Sequence, residues 1–253
     1  MKPTKKFNDL VELVNILRKE CPWDRKQTHE SLKDHLIEEA YETIEAIDKR
    51  DFNELKKELG DVLLHVVFHC IMADEKEHFT IGDVIYTLQQ KLIRRHPHVF
   101  SDVDAADDKQ VAENWENIKL QEGKKSILEG IPRQLPALIR AQRMQEKASN
   151  VGFDWPEKAQ VWEKLEEELQ EFKETLSEQN TKKQQDEFGD LLFSLVNVAR
   201  NYDISAEDSL RTTNKKFIRR FQYIEEQLDK NNRNIADTPL EEMDRYWEEA
   251  KRQ

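Results

Sequence analysis

Glycine and proline are scarce in this chain, with six and seven among 253 residues. Turn-rich sheets need more of both, and no stretch alternates apolar and polar residues as a half-buried strand does. Glu, Lys, Leu and Gln, which favour helices, are abundant. The chain therefore reads as all-α. Cysteine is nearly absent: Cys21 and Cys70 stand alone without a motif around either, and both read as free thiols that pack. No run reaches the ~18–20 apolar residues that span a bilayer. The N-terminal MKPTKKFNDLVEL has neither the apolar core of a signal peptide nor a cleavage site. A reducing cytoplasm is the expected address, with no membrane partner. An excess of positive charge is also missing. The formal net charge of −12 argues against a nucleic-acid polymer as partner, because such affinity rests on clustered Lys and Arg. A small anionic ligand remains compatible if metal ions neutralise it.

What the chain does contain is a repetition. Shifted by 129 positions, LIEEAYETIEA (36–46) lies on LEEELQEFKET (165–175), and ELGDVLLHVV (58–67) lies on EFGDLLFSLV (187–196). Glu38, Glu39, Glu42, Glu58 and Asp61 thereby meet Glu167, Glu168, Glu171, Glu187 and Asp190. Further on, KLIRRH (91–96) matches KFIRRF (216–221), and WENIK (115–119) matches WEEAK (247–251). Pro132 and Pro136 mark a boundary, which places the divide near residue 130 and gives two domains, 1–130 and 131–253.

Glu168 and Glu171 fall about 60° apart on one side of a helix, while Leu165, Leu169, Phe172 and Leu176 gather on the other. In the following helix the apolar residues from Phe188 to Val198 wrap most of the circumference and leave a strip of Glu187, Asp190 and Ser194. Ionised carboxylates on such a strip cost several kcal/mol per ion unless a cation compensates. Two i, i+3 acid pairs supply hard oxygen ligands that suit Mg²⁺ or Mn²⁺ and leave positions for water and phosphate. Gly60 and Gly189 are unfavourable inside a helix, which suggests close approach of another backbone or a ligand there. A single E-E-x-x-E in so acidic a chain reads as a solvated face; its ordered repetition argues for a site.

Cations stand near the acids. Lys216 and Arg220, four apart, share a face that suits an anion. Lys164 precedes Glu168 by one turn, and Lys183 precedes Glu187 by one turn. The first half has His35 and Glu54 at those two places, so the active site is assigned to the second half. The first half is left as a scaffold, a dimerisation surface or a weaker site. His65 replaces Ser194 there and forms H-x-x-x-H with His69, which fits either a packed pair or a transition-metal site. Trp247 either stacks on a nucleobase or fastens the tail to the bundle. Trp23 in CPWD and Trp155 in GFDW precede the acidic helices, as packing residues or at the mouths of the sites.

Together CPWD, EEAYE, ELGDVLLHVVF, RRHPHVF, WENIK, GFDW, EEELQE, EFGDLLF, KFIRRF and YWEEAK resemble the MazG family of bacterial nucleoside triphosphate pyrophosphohydrolases, over essentially the whole chain. The resemblance implies tandem four-helix MazG domains, a homodimer, and Mg²⁺-dependent hydrolysis of a nucleoside triphosphate to monophosphate and pyrophosphate in the second domain. Carried over by motif, Glu168, Glu171, Glu187 and Asp190 are the catalytic metal ligands, and Lys164, Lys183, Lys216, Arg220 and Trp247 contact nucleotide. Glu167 either holds the attacking water or faces solvent. Water activated by metal is expected to attack the α-phosphorus. Two rivals remain. A di-iron or di-manganese carboxylate bundle uses Glu-x-x-His pairs, and no histidine follows His98. A helical adaptor whose acidic grooves hold a basic partner explains the acidity, but not the paired cations.

Overall fold

In the computed structural model, residues 2–101, 126–178 and 180–252 are described, with Val111, Trp115 and Ile118 between them. The WENIK half of the last sequence match lies mostly outside the described residues. Among the described residues all regular structure is helical. The chain packs as two units, Met1–Asp104 and Ala105–Gln253. This divide falls earlier than the prolines suggested. Ile127 gives its carbonyl to Lys147 Nζ at 2.8 Å, and Leu128 lines a cavity of the second unit, so the residues just before Pro132 belong to that second unit.

The first unit holds α1 (Phe7–Glu20), α2 (Lys33–Lys49), α3 (Phe52–Asp74), α4 (Ile81–Arg95) and the short α5 (Pro97–Phe100). Local chemistry sets the ends. Arg50 closes α2 in the left-handed region at φ 55°, and the next residue, Asp51, accepts from the amides of Asn53 and Glu54 to start α3. Those two bonds hold the Asp51 carboxyl below its usual range. Thr80 and Asp83 open α4 with reciprocal bonds. Helices α2 and α3 lie along each other, and α1 packs on α3. Val14, Leu32, Val67, Phe68, Ile71 and Met72 form the core.

The second unit repeats the plan with α6 (Ala137–Ser149), α7 (Lys158–Thr175), α8 (Thr181–Asn201), α9 (Ala206–Lys230) and α10 (Leu240–Ala250). Asn180 caps α8 through the Lys183 amide, and Ser205 caps α9 through that of Asp208. The pair α7 and α8 reproduces α2 and α3; α6 packs on α8 and α9, and α10 folds back on α9. Val161, Leu165, Leu191 and Val198 form one core and Ile224, Leu228 and Tyr246 another. Of the four apolar residues expected to carry α7, Leu165 is buried and Phe172 packs against it, whereas Leu169 and Leu176 are exposed. Among the described residues, leaving aside each glycine's own helix backbone and chain neighbours, nothing comes within 4 Å of a Cβ built on Gly60 or Gly189. The close approach expected there is not made by any described residue, because both glycines lie on exposed stretches of α3 and α8.

Candidate functional site

The α7–α8 hairpin sets the acids. Glu168 and Glu171 on α7 and Glu187 on α8 each offer a carboxylate oxygen within 4.8 Å of the others. Glu168 is buried, Glu187 half-buried and Glu171 exposed. Partial loss of hydration beside the hairpin, then the neighbouring Glu168, raises the proton affinity of Glu171 against the opposing pull of Lys164. Like charges crowded in this way are what a divalent cation relieves, so the donor set fits a hard metal. Asp190 is exposed, contrary to the solvent-shielded strip expected for it. It stands outside the ion-sharing trio but borders the same cavity as Glu168 and Lys164.

That cavity has a volume of about 370 Å³, within the range of small-molecule sites. Met144 and Ala148 of α6, Phe193 of α8, Leu128, and the loop residues Phe153 and Trp155 give it apolar walls. Gln145, Asp154, Ser194, Asn197 and Arg200 supply polar groups. An acidic end beside an apolar slot suits a molecule with a charged head and a flat, weakly polar body.

Lys164 is a cation set directly against the acids. Its Nζ lies 2.8 Å from both Glu167 and Glu168, and those bonds raise its proton affinity far above that of an ordinary lysine. Glu167 is exposed. Lys183 does not turn to Glu187; it pairs with Glu178 at 2.9 Å. Lys216, Arg220 and Trp247 are not among the residues lining the cavity. Lys216 is exposed on α9. Arg220 lies over the Trp247 ring, 5.4 Å from its centre, and Trp247 packs on Phe217 with ring centres 5.2 Å apart.

Sequence reasoning passed over four residues. Arg200 forks onto Asp154 at 2.8 and 2.6 Å and donates to Asn197 Oδ1 at 3.0 and 2.8 Å. Gln145 Nε2 donates to the Phe193 carbonyl at 2.9 Å. Asp154 sits in GFDW, the one signal that pointed there; the others are single polar residues on helices and carry no local pattern.

The first unit holds a poorer copy. Glu39, Glu58 and Asp61 lie within the same 4.8 Å reach of one another, and burial raises the proton affinity of Glu39 and Glu58. Glu42 instead borders a hollow with Glu45, Glu54 and Glu58. The cavity beside Glu39 has only about 180 Å³ and is lined by Trp23, His35, His65 and Phe68 among others. Under the 129-residue shift His35, His65 and Phe68 take the places of Lys164, Ser194 and Asn197, so a cation and two small polar groups are replaced by rings. His35 meets the exposed Glu38 at 3.5 Å, and Glu54 is taken by Lys57. His69 pairs with His29 at 2.8 Å between their Nδ1 atoms. The groups of three or more residues close enough to share an ion, among the described residues, contain carboxylates alone, and the His65 and His69 rings stack with centres 6.2 Å apart.

The MazG nucleotide pyrophosphohydrolase domain matches this chain twice, over residues 27–100 and 157–224. A Thermotoga maritima protein named nucleoside triphosphate pyrophosphohydrolase/pyrophosphatase MazG is 51% identical over 97% of this chain and 95% of its own length. An Escherichia coli K12 protein named nucleoside triphosphate pyrophosphohydrolase is 41% identical over 98% of both chains. The two matched stretches contain α2–α3 and α7–α8, the hairpins that carry the two acidic trios. The chain belongs to the MazG family.

Proposed function

We propose that this chain is a Mg²⁺-dependent nucleoside triphosphate pyrophosphohydrolase that works through its second unit, releasing nucleoside monophosphate and pyrophosphate. The observation that carries the reading is the convergence of Glu168, Glu171 and Glu187, of which Glu168 lines a cavity with an apolar slot. The names of the relatives agree with it. Glu168, Glu171, Glu187 and Asp190 would hold the metal, with Mn²⁺ as a substitute for Mg²⁺. When bound, it would set positive charge against the phosphate oxygens and add Lewis acidity toward a water nucleophile.

The residues of the chain do the rest. Lys164 fixes the Glu168 carboxylate in one orientation and offsets part of the negative charge a triphosphate would meet. Glu167, exposed and tied to the same lysine, accepts the proton shed by the attacking water, whose oxygen bonds to the α-phosphorus as the bond to the pyrophosphate oxygen breaks. Phe153, Trp155 and Phe193 flank the base and keep water from one end of the substrate. The chain works as a homodimer: Leu169, Leu176, Phe188, Leu192 and Leu195 are exposed in the single chain, and a second copy is the economical cover for such residues. A reducing cytoplasm suits its two free thiols; no helix among the described residues is long and apolar enough to cross a membrane.

The test is an assay with triphosphate and Mg²⁺ that resolves pyrophosphate from orthophosphate. Glu171→Gln and Glu187→Gln should each cut the rate at least about 100-fold, and Mg²⁺ with a nucleotide analogue should raise the melting midpoint of the parent chain alone. Unchanged rates in both variants would refute the assignment.

A further inference from the structure

Gln145 is 8% exposed, and its orientation is not free. The Phe193 carbonyl can only accept, so the nitrogen of the Gln145 amide must face it. The Oε1 end is left over; it is sealed from water and has no hydrogen-bond partner among the described residues. An acceptor in that state costs about 1–3 kcal/mol, which a ligand donor would relieve once a small turn of the side chain opens Oε1 to the cavity that Gln145 lines. Asn197, 7% exposed, is fixed in the opposite sense. Arg200 can only donate, so the oxygen of the Asn197 amide must face the guanidinium, and the NH₂ end is the one left for the cavity. Phe193, whose carbonyl holds Gln145, lies one helical turn before Asn197 on α8. Two residues lining the cavity, Gln145 of α6 and Asn197 of α8, thus have an acceptor end and a donor end left over, each locked against a flip by its own partner.

We propose that this amide pair reads the edge of the substrate's base: Gln145 Oε1 accepts from a ring or amino N–H, and Asn197 Nδ2 donates to the acceptor atom beside it. The inference rests on the nucleotide reading above and narrows it to triphosphates whose base presents an unblocked donor next to an acceptor. Bases that lack the donor, or carry an alkyl group on it, are poor substrates. The sequence placed no base-reading amide because neither residue has a motif.

The probe is purine riboside triphosphate, which keeps the purine ring and its acceptors but has no N–H on that edge, compared with ATP. In the parent protein kcat/KM for ATP should exceed that for the analogue by about 10–100-fold. In Gln145→Met, close in volume but unable to accept, the ratio should fall to within about threefold of unity, mostly through loss on ATP. A parent enzyme that treats both alike, or a preference that survives in Gln145→Met, overturns the proposal. Dissociation constants of AMP and purine riboside monophosphate, measured by calorimetry on the parent chain, give a readout free of hydrolysis. If no triphosphate were cleaved, the pyrophosphohydrolase reading would fall by itself. Equal dissociation constants would overturn the base contact, and tighter AMP binding would support it.

Discussion

Arg200 closes a two-pronged grip on Asp154, with Nη1 and Nη2 at 2.8 and 2.6 Å from its two carboxylate oxygens. The grip ties the last turn of α8 to the loop that brings Phe153 and Trp155 into the cavity wall. Both side chains are largely buried, at 13% and 24% exposed, so the pair is not screened away as a surface pair would be.

Asp154→Asn should therefore loosen that wall. It leaves Arg200 with one poor acceptor in place of two good ones, at a cost of roughly 2 kcal/mol in the second unit, and it should raise KM more than it lowers kcat. Burial pushes the Asp154 carboxyl up, but bonds from Arg200 and Ser149 outweigh it and hold its pKa below the usual range. A depressed carboxylate contributes stability that is present above its unfolded value of ~3.9 and lost as pH falls through the lower folded value. Thermal melts of parent and variant should differ near neutrality and converge under acid. A gap that stays constant into acid would contradict the assignment.

Lys164 lies between two carboxylates, and its raised proton affinity keeps it charged throughout the neutral and mildly alkaline range. Lys164→Met should lower kcat/KM for a triphosphate at least about tenfold, and Lys164→His, which copies His35 of the first unit, should behave the same way at pH 8, where imidazole is neutral. No loss of pyrophosphate release between pH 7 and 10 should trace to this lysine. A Met variant with parental kinetics would show that the cation orders acids the reaction does not need.

The reach of each interaction decided whether it was legible in the sequence. The α2–α3 and α7–α8 hairpins could be read because their caps, apolar spacing and acids are local and occur twice, and i, i+3 spacing on two neighbouring helices brought three of the four expected acids together in each, leaving out Glu42 and Asp190. Lys183 went astray because its spacing from Glu187 suggested a shared face, whereas a first-turn residue also meets the preceding loop, and Glu178 is there. Asp190 is exposed because α8 has fewer neighbours in the single chain than its apolar content implied. The Arg200–Asp154 and Gln145–Phe193 bonds join residues 46 and 48 positions apart, and only the packing of α6 on α8 brings the latter pair together.

Trp247 was open to two readings, and its surroundings favour the anchor. Its ring packs on Phe217 under the Arg220 guanidinium and against the cluster of Ile224, Leu228 and Tyr246. Trp247→Ala should cost the second unit about 3 kcal/mol, and Trp247→Phe should keep more than half of that, because a phenyl ring retains the stack and part of the cation–π contact. Chemical denaturation followed by helix content is the direct measurement. An Ala variant as stable as its parent would return the ring to the nucleotide.

His65 makes the first unit the acid-sensitive one. Its ring is buried, and Nδ1 has no partner among the described residues. Burial first, then the neighbouring His35, holds the imidazole below the ordinary histidine pKa, against a weaker pull from Asp61. His69 is depressed in the same way by burial, His29 and His65. Above the unfolded value of ~6.5 these rings are neutral in both states and cost nothing. As pH falls below it the unfolded chain takes up protons that the folded chain refuses, so stability declines until the lower folded values are passed and then levels off. The second unit, Ala105–Gln253, contains no histidine and has no such slope in that window. Amide exchange along α3 should therefore speed up relative to α8 between pH 7 and 5, after correction for intrinsic rates, and His65→Gln should remove a large part of the difference. Equal slopes in the two helices, or an α3 slope untouched by His65→Gln, would place the acid sensitivity elsewhere.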